Sequence, residues 1–159
     1  MGKAFTTVDV SVFARETDLS SPKQIKDRYV LDPSEPRPGG MSIVRKAYDH
    51  VTGQFVALKF LSRIGDDKKA NTLFFREFGA LDKLKHKNIV RLIEADVSEN
   101  GEKFLVLEWI ESDLEKYISR HSATSFAEFF DQFGNPILDA IVYAQSLNFA
   151  HRDIKPKNI

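Results

Sequence analysis

Nine residues, His151-Arg152-Asp153-Ile154-Lys155-Pro156-Lys157-Asn158-Ile159, hold an acid, a cation and an amide at fixed offsets. A carboxylate such as Asp153 can accept the proton of an attacking hydroxyl. Lys155, two residues on, offers a positive charge to a phosphoryl group in transit, and Asn158 offers a hard amide oxygen suited to magnesium. A basic turn arising by chance would not specify so many positions in so short a stretch. The chemistry that suits this set is transfer of a phosphoryl group to a hydroxyl.

Three upstream features fit the same chemistry, each ambiguous alone. Arg37-Pro38-Gly39-Gly40-Met41-Ser42-Ile43-Val44 lies between two predicted strands. Glycine lets a backbone approach phosphate oxygens and point its N–H groups at them, yet the same composition also makes an ordinary turn. In Val56-Ala57-Leu58-Lys59, a strand would put Ala57 and Lys59 on one face about 6–7 Å apart. The small residue leaves room for a flat base and the lysine reaches phosphates beyond it, although a lone strand-end lysine is equally a solvated one. Glu77 precedes the apolar Phe78 in a helical stretch. At that margin it either reaches inward to hold the Lys59 amine or stays exposed beside Arg76 or Lys83.

These residues need a scaffold, and the chain can supply one. Its 159 residues suffice for one domain with a real core. With 42% hydrophobic and 29% charged residues the composition is that of a folded chain. Twenty-three basic residues balance twenty-three acidic ones, so no global field favours nucleic acid or an anionic membrane. The lack of cysteine excludes disulfides, thiolate metal sites and cysteine nucleophiles. No run reaches the length of a membrane span and no signal-peptide core opens the chain, so a soluble cytoplasmic protein is expected.

Residues 1–27 read as an N-terminal extension, with Val8, Val10 and Val12 hinting at a short strand. Strands are predicted at 29–31, 43–48, 54–61, 88–96 and 103–109, with turn signals around 32–40, 49–53 and 99–101. A helix from about Asp67 to Leu84 carries Phe74, Phe78, Leu81 and Leu84 as one apolar stripe. Beyond position 112 the pattern turns helical, at 113–119, 125–130 and 137–148. The expected class is α+β: a five-stranded antiparallel sheet with one helix, followed by further helices.

In order and spacing these features resemble the first part of a protein kinase domain of the Ser/Thr type. The likeness covers about residues 28–159. It rests on the glycine-containing loop, Lys59, Glu77, Leu84-Lys85-His86-Lys87-Asn88-Ile89-Val90, the hinge-like Leu107-Glu108-Trp109-Ile110, and the His-Arg-Asp segment. Lysine at position 155 is similar to Ser/Thr rather than tyrosine kinases. The resemblance implies a small lobe at 28–110 and the start of a large lobe at 111–159. It implies that Gly39, Gly40 and Ser42 cover the phosphates of ATP, with Val44 and Ala57 packing on adenine. Lys59 binds the α and β phosphates and is held by Glu77. Leu107 guards the pocket, the backbones of Glu108 and Ile110 bond adenine, Asp113 lies near the ribose, and Leu114 closes the pocket from below. Asp153 is the base, Lys155 the phosphate contact and Asn158 a Mg2+ ligand. His151 packs in a stack with Leu81 and Leu92. ATP, Mg2+ and a protein serine or threonine are the implied cofactors and substrate.

The sequence departs from the family in two places. Arg37 stands at the first glycine of G-x-G-x-x-G and Ser42 at the third; Gly-Gly-Met-Ser resembles many bacterial Ser/Thr kinases. An arginine there stiffens or crowds the loop, or adds a phosphate contact. No Asp-Phe-Gly follows within the chain, so a truncated segment, inactive alone, is expected. Its helix 137–148 would then need a partner chain to cover it. The competing readings are a non-catalytic nucleotide-binding module and, ranked lower, a small-molecule phosphotransferase.

Overall fold

The computed structural model describes residues 23–34, 36–38, 42–61, 67–121 and 125–159. Val8, Val10 and Val12 therefore lie outside the described residues, as do Gly39 and Gly40. Strands β1 (Gln24–Ile25), β2 (Tyr29–Leu31), β3 (Arg37–Pro38), β4 (Ser42–Asp49), β5 (Gln54–Leu61), β6 (Leu92–Val97) and β7 (Lys103–Glu108) form one sheet. It is antiparallel throughout, in the order β1-β2-β4-β5-β7-β6, with β3 paired to β4. The five expected strands are all present, joined by two-residue strands β1 and β3. Strand β6 starts at Leu92 instead of Asn88 because the intervening chain is a turn, in which Ile89 N–H donates to His86 O (3.1 Å).

Turn chemistry fixes the register. Between β4 and β5, Gly53 takes a positive φ of 67° and its N–H donates to Asp49 O at 2.8 Å. The Asp49 carboxylate accepts from Val51 N–H (3.0 Å) and the Thr52 hydroxyl (2.8 Å). The two-residue period of the strands then sorts side chains onto two faces. Val56, Leu58 and Phe60 join Ala47, Phe104, Val106, Tyr29 and Leu31 in one core cluster. On the other face Ala57, Leu92, Leu105 and Leu107 pack with Phe74 of helix α1 (Asp67–Lys83). Phe78 and Leu81 of the expected stripe pack against the same cluster.

The sheet also curls until its ends meet. Arg28, just before β2, grips Asp49 through Nε and Nη2, each at 2.9 Å. Its Nη1 contacts Glu94 of β6 at 3.0 Å, and the Tyr29 hydroxyl donates to the same carboxylate. Asp49 is the one fully buried charged residue among those described. The Arg28 guanidinium holds its carboxyl well below the usual range, and burial pushes the Tyr29 hydroxyl up.

Helix α2 (Leu114–Arg120) follows the sheet, then α3 (Phe126–Phe129) and α4 (Asn135–Ser146). The sequence reads α3 and α4 as separate helices, but a π-helical turn at Phe130–Gly134 joins them into one run. Asn135 N–H donates back to Phe130 O, five residues earlier. Pro136 explains the turn: it has no N–H to give and its ring crowds the preceding turn, which the wider π geometry accommodates. Neither α3, the π turn nor α4 buries a residue.

Candidate functional site

Lys59 is delivered by strand alternation. Val44 sits opposite Lys59, Lys46 opposite Ala57, and Leu107 and Leu105 oppose Ala57 and Lys59 from β7. All six side chains therefore project from the face that α1 covers. Packing of Phe74 and Phe78 on that face orients α1 so that Glu77 reaches the strand. The Lys59 ammonium donates to the Glu77 carboxylate, with 24% and 29% of the two side chains exposed. A pair this wet contributes little net stability, so what it provides is a fixed amine position. Both residues line a cavity of about 380 Å³, together with Ser42, Arg76, His151 and Arg152.

Deeper on the same face Ala57 and Leu107 are buried, and Val44 flanks them. The chain leaves β7 with Glu108 anchored to Arg91, its N–H donating to Arg91 O (3.0 Å) and its carboxylate accepting Arg91 N–H (2.7 Å). Ile110 is exposed, and among the described residues nothing bonds its backbone N–H or C=O. Leu114 is buried at the start of α2.

Asp153 belongs to a second, self-bonded cluster. Its carboxylate meets Lys155 Nζ at 2.9 Å and accepts from Asn158 Nδ2 at 2.9 Å, while the same amide donates to Asp153 O at 2.8 Å. A 3₁₀ turn at Pro156–Asn158 closes the ring, and Leu114 N–H donates to Ile159 O at 2.6 Å. The loop thus rests on the N-terminus of α2. Lys155 first, and then Asn158, hold the Asp153 carboxyl below the ordinary carboxylate range, so it is ionised at neutral pH. Asp113 is committed as the N-cap of α2, accepting Lys116 N–H at 2.9 Å and pairing with Lys116 Nζ at 3.1 Å.

The two clusters meet through Ala150, His151 and Arg152, which border the Lys59 cavity. The structure brings Ser42, Lys59 and Glu77 to one cavity and gathers Asp153, Lys155 and Asn158 along the adjoining loop. With its Nδ2 engaged, Asn158 has its amide oxygen left as a hard ligand atom. Among the described residues no three His, Cys, Asp or Glu side chains converge on a point. A Mg2+ ion held here would draw on the Asn158 amide oxygen and on phosphate oxygens, the hard donors this ion ordinarily takes.

One sequence expectation is corrected. His151 does not close a stack on Leu81 and Leu92. It is exposed, and its Nδ1 accepts Asp153 N–H at 3.3 Å within its own loop. Leu92 instead packs with Phe74, Leu105 and Leu107. Arg152 takes a left-handed φ of 64°, which turns the loop at this point.

Sequence reasoning also missed a group at the front of the site, where Arg37, Lys46, Trp109 and Glu111 border a cavity of about 230 Å³. Arg37 standing in place of a glycine was the signal that could have found it.

The family model described as protein kinase domain matches residues 38–159. Cell division control protein 2 homolog 1 of Trypanosoma brucei brucei is 32% identical over 121 residues, covering 76% of this chain and 40% of that protein. A Dictyostelium discoideum protein named as a probable serine/threonine-protein kinase is 36% identical over 121 residues, again 76% of this chain but 24% of its own length. The chain therefore spans less than half of either relative. Among solved structures, Rad53 1–466 in complex with AMP-PNP matches with a TM-score of 0.67 and 30% identity, over 82% of this chain and 34% of that one.

Proposed function

The chain belongs to the protein kinase family, and on that premise we propose that it supplies the nucleotide cradle and catalytic base for ATP-dependent phosphorylation of serine or threonine in proteins. The observation that carries this reading is the Lys59–Glu77 pair opening onto a cavity that the Asp153 loop borders. In this reading residues 28–110 hold the nucleotide and residues 111–159 begin the lobe that presents the acceptor. Lys59, fixed by Glu77, takes the α and β phosphates, and the backbone around Gly39, Gly40 and Ser42 covers them. Val44, Ala57 and Leu107 enclose adenine from the sheet and Leu114 from below, while Glu108 and Ile110 offer their backbone and Asp113 lies toward the ribose. A bound Mg2+ supplies charge neutralisation on the phosphates, with Asn158 as one ligand.

The ionised Asp153 orients the attacking hydroxyl and accepts its proton, while Lys155, beside it, balances charge on the phosphoryl group. Preference for serine or threonine follows from Lys155 two places after the base, and the name of the Dictyostelium discoideum relative is consistent with it. The nucleotide in the Rad53 complex supports ATP as the ligand. Because the 159 residues contain no Asp-Phe-Gly segment to help hold Mg2+, they alone should bind nucleotide without turning it over.

Titration with Mg-ATP tests the cradle, and Lys59→Met should weaken binding at least tenfold. Unchanged affinity in that variant would sink the assignment. In any longer chain that includes these residues, Asp153→Asn should keep nucleotide binding and abolish phosphoryl transfer. Phosphotyrosine as the main product would overturn the acceptor class, and binding without turnover by the unaltered protein would favour a non-catalytic module.

A further inference from the structure

The front of the cradle carries a contact that the phosphoryl-transfer reading does not use. Strand β3 runs directly into the glycine-containing loop, and Arg37↔Val44 pairing puts the Arg37 side chain on the cradle face. From there the guanidinium lies over the Trp109 ring, 4.4 Å from its centroid. Lys46 of β4 places its ammonium 5.0 Å from the same centroid. Trp109 Nε1–H donates to the Glu111 carboxylate, which Lys46 Nζ also meets at 3.3 Å, and Arg37 Nη2 donates to Glu111 O at 3.4 Å. Two cations, one π face and one carboxylate thus join the strand above the nucleotide site to the segment whose backbone would hold adenine. No apolar burial requires the arrangement: Arg37 and Glu111 are exposed. Glycine at position 37 could not make it.

We propose that Arg37, with Lys46, clasps Trp109 and Glu111 across the mouth of the cradle, and that this clasp sets how fast nucleotide enters and leaves. Arg37 is a positioning residue in this proposal, which rests on the nucleotide-cradle reading above. Opening the mouth breaks both cation–π contacts to Trp109 and the polar contacts to Glu111, which together slow exchange by about fivefold to tenfold. Release should quicken as salt rises, because the cluster is near solvent and its charges are screened.

Trp109 is the chain's one tryptophan, so its emission reports the clasp without a label. In nucleotide-free protein, Arg37→Ala should make Trp109 more accessible to acrylamide and leave the thermal midpoint unchanged. In the nucleotide-bound protein, a stopped-flow chase with excess ATP should show release about fivefold to tenfold faster for Arg37→Ala, faster to a smaller degree for Glu111→Gln, and largely restored in Arg37→Lys. A release rate within twofold of the unaltered protein in both Arg37→Ala and Glu111→Gln overturns the clasp. Loss of binding in Lys59→Met alongside that result would show the cradle to be sound and the clasp alone mistaken. Failure of the unaltered protein to bind Mg-ATP would overturn the cradle reading and the clasp's role with it.

Discussion

The sheet and the helical segment after it solve the problem of placing a reactive group in opposite ways. Lys59 stands on β5, whose neighbours Val56, Leu58 and Phe60 are buried in one cluster while Ala57 is buried in another. It is positioned by packing on both faces of a sheet. Asp153 stands on a fully exposed loop, fixed by the amide of Asn158, the ammonium of Lys155 and one backbone bond to α2. From α2 onward Leu114 is the one buried residue among those described. Packing resists displacement because every shift opens a void, whereas exposed polar bonds exchange with water at small net cost. Lys59 thus rests on a scaffold able to hold itself together, and Asp153 rests on contacts that only orient it.

Substitutions can break this contrast, the largest effect coming from the core. Phe104 is fully buried, edge-on to Tyr29 with centroids 6.1 Å apart and 5.4 Å from Phe60. Phe104→Ala should cost about 3–5 kcal/mol in chemical denaturation. Leu138→Ala on the exposed side of α4 should stay within about 0.5 kcal/mol. Equal losses would show that the helical segment is packed as tightly as the sheet.

Next comes the buried ionic closure of the sheet. Asp49→Asn keeps the shape but removes the charge that Arg28 grips, and should cost about 2 kcal/mol near neutral pH. The sign with pH follows from the depressed carboxyl. Its stabilisation is complete above the ordinary aspartate range, near pH 4, and fades as pH falls through that range toward the folded-state value. Unfolding curves of the unaltered chain should therefore lose stability below about pH 4, and Asp49→Asn should lack that share. Parallel pH curves for the two proteins would contradict the buried pairing.

The smallest effect belongs to the exposed loop. Lys155→Ala should raise the Asp153 carboxyl toward its ordinary range, as followed by carboxyl NMR titration, and leave the thermal midpoint where it was. A marked fall in midpoint would mean that the loop supports the fold, which its exposure argues against.

How much of this was legible beforehand differed between elements for physical reasons. Strand alternation and the helical stripe are local periodicities, so β2, β4, β5, β7 and α1 lie close to where the residue pattern puts them. The join between α3 and α4 was hidden because Gly134-Asn135-Pro136 reads as a break, and only the π turn lets a helix pass through the proline. The candidate site residues were visible as types at fixed spacing. The clasp was not, since Arg37, Lys46, Trp109 and Glu111 share no spacing that points to one another.

By itself the sequence determined which groups are present: a strand lysine, a helix glutamate and a loop that sets Asp153 beside Lys155 and Asn158. It also determined the α+β order of elements, because hydrophobic periodicity and turn residues act within a few positions along the chain. The tertiary structure alone decided which groups meet. It paired Lys59 with Glu77 across 18 residues and Arg28 with Glu94 across 66, left His151 exposed, and laid Arg37 on a tryptophan 72 positions away. Such encounters depend on how a sheet curls and which face a helix covers, and no local pattern of residues encodes that.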